Sequence, residues 1–136
     1  MDLDEARGVL AEQHRAVLAT RRSDGAPQMS PVLAAVDDQG RVVVSTRQTA
    51  MKVRNLRRTP TAWLCVLPDD FFGRWIQVGG TVHIVELPEA MEGLVDYYRR
   101  ISGEHESWDD YRAAMEGEQR VLLQIELSSA GPDWAG

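Results

Sequence analysis

One cysteine and one lysine occur in 136 residues. The lone Cys65 can form no internal disulfide and supplies no thiolate cage for a metal. Within the apolar run TAWLCVL it reads as a small buried hydrophobe. Long apolar stretches are missing as well: nothing approaches the roughly 18 consecutive apolar residues of a membrane-spanning helix. The acidic start MDLDEARGVL lacks the basic region and apolar run of a secretory signal. The expectation is a soluble cytoplasmic protein without membrane association.

Familiar catalytic signatures are absent too. There is no G-x-S-x-G elbow, no P-loop and no G-x-G-x-x-G, since Gly79-Gly80 falls inside a strand pattern. The three histidines, His14, His83 and His105, show neither H-x-x-x-H nor H-E-x-x-H spacing, so no metal centre is expected. The acid-rich SGEHESWDDY reads as a solvated loop leading into a helix cap, where the dipole favours anions. Aromatic residues make up only 7% of the chain and the net charge is -6. A basic face interleaved with stacking aromatics is therefore lacking, which argues against nucleic acid as a partner.

What the sequence does have is a segregated basic segment. From Arg41 to Pro68 there are six cations and no acids, leaving nine cations elsewhere against all 21 acids. Its densest part, TRQTAMKVRNLRRTP, holds Arg47, Lys52, Arg54, Arg57 and Arg58. A local patch in an acidic protein suits a small polyanionic ligand held at one site. Arg57 and Arg58 fall in the last turn of a predicted helix, where cations offset the dipole or simply face solvent. Lys52 and Arg54 sit near its start, where the dipole disfavours cations, and Arg54 repels Arg58 at i,i+4. An anion at the helix N-terminus would relieve both costs. The only lysine among fourteen arginines is Lys52, which points to a need for a compact ammonium.

The rest of the chain alternates short strands with a few helices. DLDEARGVLAEQ spaces Leu3, Ala6, Val9 and Leu10 as an amphipathic helix. RAVLATRR, PQMSPVLAAVD and RVVVSTR read as strands separated by the turn clusters SDGAP and DDQG. Pro31 places the second of them at an edge or a bulge. A helix TAMKVRNLRR, a strand TAWLCVL and a loop PDDFFG follow. RWIQVGGTVHIVEL is a long strand with a bend or close backbone approach at Gly79-Gly80. Pro88 is expected to open the helix PEAMEGLVDYYRRIS, Ser107 to cap SWDDYRAAMEG, and RVLLQIELS to close the domain. Six strands and three or four helices without a βαβ rhythm give one α+β domain over residues 1–136, built on an antiparallel sheet or barrel.

The ordered set AVLATRRSDGAPQMSPV, VVVSTRQTAMKVRNLRRTPTAWLCV, GGTVHIV, YYRRISGEHESWDDYRAAM and RVLLQIELS resembles the split β-barrel flavin/deazaflavin oxidoreductases of the pyridoxamine 5'-phosphate oxidase-like superfamily. The similarity runs from about His14 to Ser129 and is closest to the branch that uses coenzyme F420, an 8-hydroxy-5-deazaflavin. It implies a six-stranded antiparallel split β-barrel with flanking helices, a homodimer, and cofactor sites at the subunit interface. By that resemblance Gln28, Met29, Ser30, Pro31 and Val32 run along the tricyclic ring. Ser45 and Thr46 contact the ribityl chain and phosphate, and Lys52 is the phosphate lysine with Arg54 and Arg47 as companions. Trp75 and Gln77 face the cofactor from the partner subunit. Ala50 and Met51 stand where the flavin oxidases carry a phosphate-binding Ser-Arg pair, a departure that weighs against FMN.

The implied activity is hydride transfer from C5 of the reduced deazaflavin to an electron-poor C=C or C=N of a small organic substrate. No catalytic proton donor is identified. Phe71, Phe72 and Trp134 either line the substrate pocket or pack in the core or interface. An FMN-dependent oxidoreductase of the same fold, and a non-catalytic carrier of a flavin, deazaflavin or tetrapyrrole-like ligand, are the alternatives.

Overall fold

The computed structural model describes residues 1–132, so Trp134 lies outside the described residues. Its elements are α1 (Leu3–Glu12), β1 (Arg15–Arg21), β2 (Pro27–Leu33), β3 (Ala35–Val36), β4 (Val42–Arg47), α2 (Met51–Arg58), β5 (Thr61–Val66), β6 (Ile76–Val85), α3 (Met91–Ser102), α4 (Trp108–Gly117) and β7 (Arg120–Gly131). All seven strands form one antiparallel sheet in the order β2-β1-β5-β6-β7-β4-β3. The fold is α+β, with a curled sheet flanked by four helices. None of these helices is long and apolar enough to cross a membrane.

The strand count is seven where the sequence pattern gave six. PQMSPVLAAVD breaks at Ala34 into β2 and β3, which lie at opposite edges of the sheet. One residue therefore joins the two edges, and the sheet must curl until they meet. Ala34 is fully buried, and both its backbone groups are held by His14. Its N–H donates to the His14 carbonyl at 2.7 Å and its carbonyl accepts from His14 Nδ1 at 2.8 Å. A carbonyl can only accept, so Nδ1 carries the proton. Hydropathy could not reveal the break, because both halves keep the same small apolar composition.

Strand alternation decides what fills the barrel. Ala16, Leu18, Leu64, Val66, Ile76, Val78, Leu123 and Ile125 point inward, and α1 closes one end with Ala6 and Leu10. Asp2 caps α1 by accepting from the Glu5 N–H at 2.8 Å. A second core lies under α3 and α4, where Leu94, Val95, Tyr111 and Met115 cover Val43 and Leu122. A methyl group at Gly93 would lie 2.6 Å from a Leu122 methyl, so glycine lets α3 sit this close to β7.

At Gly79-Gly80 both expected features occur. The β6–β7 register shifts there, leaving Ser128 as the extra residue of a bulge, with its hydroxyl donating to the Gly79 carbonyl at 3.4 Å. A Cβ at Gly80 would collide with the Glu126 carbonyl oxygen. Pro31 lies on an edge strand and pairs in regular register with Val17; no bulge forms there. Two boundaries differ from expectation. Trp75 precedes β6 by one residue, and α3 begins at Met91. Pro88 belongs to a turn in which Ala90 N–H bonds the Glu86 carbonyl and Met91 N–H bonds the Pro88 carbonyl.

Candidate functional site

A cavity of about 820 Å³ opens where the end of β2, the end of β4 and the start of α2 meet the helical pair. Pro31 and Val32 form one wall, Ser45 and Thr46 another, and Lys52 reaches in from α2. Tyr97, Tyr98, Tyr111, Arg15 and Arg120 also line it. Five of the twelve residues expected at the site therefore converge here, although they come from three separate elements.

Of the three cations lining it, Arg15 pairs with Asp69 at 3.6 Å, and the electrostatics centre on the other two. Burial first, and then the nearby Arg120 guanidinium, push the Lys52 ammonium below its ordinary pKa. Among the described residues no carboxylate forms an ion pair with Lys52. Arg120 is fixed instead: its Nε and Nη2 donate to Glu118 Oε1 at 3.1 and 2.9 Å. Arg47 joins the same oxygen at 3.4 Å, so it braces Glu118 rather than accompanying Lys52. The Arg120 hydrogen bond holds the Glu118 carboxyl below its usual range, with Arg47 adding to the effect. Gln119, at φ 53, turns the chain from α4 into β7 and thereby aims Arg120 at the cavity. Nothing in the sequence pattern singled out Arg120, since it opens an otherwise ordinary apolar strand.

The N-terminus of α2 is also available to an anion. Ala50 is its N-cap and has no side chain able to cap the first-turn N–H groups. Of the three cavity tyrosines, Tyr97 and Tyr111 have occupied hydroxyls. Tyr97 donates to the Leu33 carbonyl at 2.9 Å and Tyr111 to the Leu94 carbonyl at 2.7 Å. Burial raises both pKa values, that of Tyr111 to about 12. Neither is poised to release a proton.

The outward face of β2 continues the cavity into an apolar groove of about 400 Å³, the two sharing Val17. Met29, Ala19, Trp63, Cys65 and Gln77 line it, and the Arg21 guanidinium lies over Trp63 at 5.1 Å. Cys65 is thus half-buried on the outer face instead of in the core, because it alternates with inward Leu64 and Val66. Trp75 and Gln77 share a neighbouring hollow with Ser129 and Ala130. Ser30 Oγ is buried on β2 with no hydrogen-bond partner. Phe71 and Phe72 stand out from the surface at 81% and 92% exposure and meet edge to face at 5.1 Å.

Gln28 and Arg54 do not join Lys52. They open on a separate cleft of about 560 Å³ with Arg22, Asp24 and Arg58. The reason is helical geometry: Lys52 and Arg54, two positions apart, leave α2 on different sides. Arg57 pairs with Glu86 instead. The segment that reads as one basic patch is divided among four environments.

Comparison with known proteins agrees with this architecture. A conserved hypothetical protein of Mycobacterium tuberculosis is 25% identical, with a TM-score of 0.75 over 96% of this chain and 82% of that one. A protein named F420 Reductase is 23% identical, with a TM-score of 0.72 over 92% of this chain and 94% of its own. General Stress Protein 26 of Bacillus anthracis shares the fold at 17% identity and a TM-score of 0.61, covering 94% and 90% of the two chains. Residues 3–130 match the family described as Pyridoxamine 5'-phosphate oxidase, almost the whole of the described chain. The protein therefore belongs to the pyridoxamine 5'-phosphate oxidase family, split-barrel proteins that are generally oxidoreductases using flavin or deazaflavin cofactors.

Proposed function

We propose that the protein is an oxidoreductase that anchors coenzyme F420 through Lys52 and passes hydride to an electron-poor C=C or C=N of a small organic substrate. The observation that carries this reading is the pair Lys52 and Arg120, two cations facing one cavity at the end of an apolar groove that follows β2. An anion between them removes the like-charge cost, and the uncapped start of α2 supplies N–H donors. Ser45 and Thr46 offer hydroxyls beside that point.

When bound, the deazaflavin supplies the hydride. The chain's own residues position and shield it: Met29, Pro31 and Trp63 give the apolar bed that holds a flat ring and keeps water from the transfer. With Tyr97 and Tyr111 tied to backbone carbonyls, the proton comes from solvent or from the third cavity tyrosine, Tyr98. The exposed Phe71, Phe72, Met29 and Trp75 suit a homodimer interface, across which Trp75 and Gln77 reach the partner's groove.

FMN is the second reading. It is favoured by one specific observation: the cavity presents the cations a single phosphate needs, while Arg54 faces elsewhere. Titrating the purified protein with coenzyme F420 and with FMN, followed by ligand fluorescence, separates the two. Tighter binding of FMN overturns the deazaflavin assignment, and binding of neither overturns the cofactor site.

A further inference from the structure

Lys52 carries the only side-chain amine in a chain that otherwise uses arginine for its permanent positive charges. An arginine in its place would hold an anion at least as well, because a guanidinium is always charged and offers more donors. What arginine does not do is give up its proton and act as a nucleophile. The exception therefore points to amine chemistry.

The fold puts that amine where such chemistry is favoured. Of the four basic residues of α2, Lys52 alone is half-buried, while Arg54, Arg57 and Arg58 are exposed. Among the described residues its Nζ makes neither a hydrogen bond nor an ion pair. It shares its cavity with Arg120, whose guanidinium is tethered to Glu118. Desolvation and that neighbouring charge both favour the neutral amine. An ordinary lysine near neutral pH has roughly one amine in a thousand unprotonated, and each unit of lowered pKa raises that fraction about tenfold. Condensation with a carbonyl goes further and abolishes the ammonium, removing the cost of keeping two cations in one cavity. A carboxylate on the same molecule is met by Arg120 and by the uncapped start of α2.

We infer that Lys52 is a covalent binding site for small anionic aldehydes, its amine forming a reversible imine while Arg120 holds the carboxylate. The lysine nitrogen adds to the carbonyl carbon, and the carbinolamine then loses water to leave C=N. Neither oxidant nor reductant takes part, and solvent carries the protons. The inference goes beyond the proposed function and stands without a cofactor, but the two meet at one residue. A bound phosphate keeps Lys52 charged and covered, whereas an imine removes the charge that anchors the phosphate. Anionic aldehydes are thus competitors of the cofactor and silence its site.

The test treats the ligand-free full chain near neutral pH with glyoxylate, and in parallel with uncharged propanal, in sodium cyanoborohydride, which traps the imine as a stable secondary amine. Intact mass counts the adducts, and peptide mapping separates Lys52 from the α-amine of the chain. Nα-acetyl-lysine gives the rate of an ordinary lysine. Lys52 should react with glyoxylate about tenfold faster or more, and should prefer glyoxylate over propanal by a larger ratio than acetyl-lysine does. Inorganic phosphate should slow the glyoxylate reaction, and Arg120→Gln should reduce the preference for glyoxylate. Should that variant fail to fold, phosphate protection of the wild-type protein decides in its place. A Lys52 rate no greater than that of acetyl-lysine, or no added preference for glyoxylate, overturns the site. Coenzyme F420 and FMN are then added before the aldehyde. Protection by a bound cofactor supports the competition. An adduct that forms as fast in the cofactor-loaded protein upholds the aldehyde site and overturns the Lys52 anchor. Adduct formation in a protein that binds neither cofactor upholds the site and overturns the proposed function.

Discussion

His14 grips Ala34 at both backbone groups, accepting from its N–H at 2.7 Å and donating through Nδ1 to its carbonyl at 2.8 Å. Because Ala34 is the only residue between the two edge strands, this grip holds the curled sheet closed. Replacing His14 with alanine should lower stability by about 1–2 kcal/mol, the cost of leaving a buried carbonyl unbonded. Thermal or denaturant unfolding measures it, and hydrogen exchange should show the Ala34 amide opening faster than the core strands. An unchanged midpoint would mean that the closure does not depend on the imidazole.

Lys52→Ala should weaken coenzyme binding by about 1–3 kcal/mol, the range for one charge-assisted hydrogen bond. The free protein should fold as well as before, because the substitution also removes the repulsion from Arg120. Arg120→Ala should weaken binding likewise but also lower stability, since it removes two hydrogen bonds to Glu118, whereas Arg57→Ala should leave binding unchanged. Titration beside thermal melts separates the two effects.

The lowered Lys52 pKa has a defined pH signature. In the free protein the unfolded chain holds the Lys52 proton up to higher pH than the folded one, so this group adds stability as pH rises from its folded pKa toward the ordinary lysine value. Anion binding needs the charged form, and affinity should therefore fall on the alkaline side before an ordinary lysine would titrate. Lys52→Arg keeps its charge throughout and should flatten that decline. A wild-type profile as flat as that of Lys52→Arg would remove Lys52 from the anion site.

Gly80→Ala should cost roughly 1–3 kcal/mol or more, since the new methyl meets the Glu126 backbone carbonyl, which cannot step aside without breaking the β6–β7 ladder. Gly79→Ala should cost less, because it meets the Trp63 side chain at 2.8 Å and a side chain can move. Denaturant unfolding of both variants gives the ranking, and the reverse order would contradict the bulge geometry.

Sedimentation at micromolar concentration should give twice the mass of the 15.2 kDa chain. Phe71→Ser/Phe72→Ser should shift the protein toward monomer and weaken cofactor binding in step, if the groove is completed by a second copy. A monomer that retains full cofactor affinity would separate the aromatic pair from the site.

Much of this architecture is readable in the sequence because it rests on local rules. Alternation marked the strands, Ser107 capped α4 with a bond from the Asp110 N–H, and Pro31 fell on an edge. Gly79-Gly80 announced a close approach between strands. Other features depend on contacts between distant segments. Arg120 becomes a site residue only because Gln119 adopts a positive φ and Glu118 is braced by Arg47. The division of Lys52 from Arg54 follows from how α2 is rolled on β1 and β6, which the buried Val53, Asn55 and Leu56 decide. Asn55 looked like a polar residue in a basic helix, and its burial against Thr20 has no signature in spacing.

Strand β2 leaves one row of its backbone groups unpaired along the groove, an arrangement that ordinarily invites another chain to add a strand. Pro31 removes a donor from the middle of that row and so spoils the template for continuous pairing. On one side of it the Leu33 carbonyl already accepts from Tyr97, so only a short stretch of the row is left for a small ligand, which needs only a few contacts. One imino acid thus lets the protein keep an edge open to a ligand while protecting itself from aggregation.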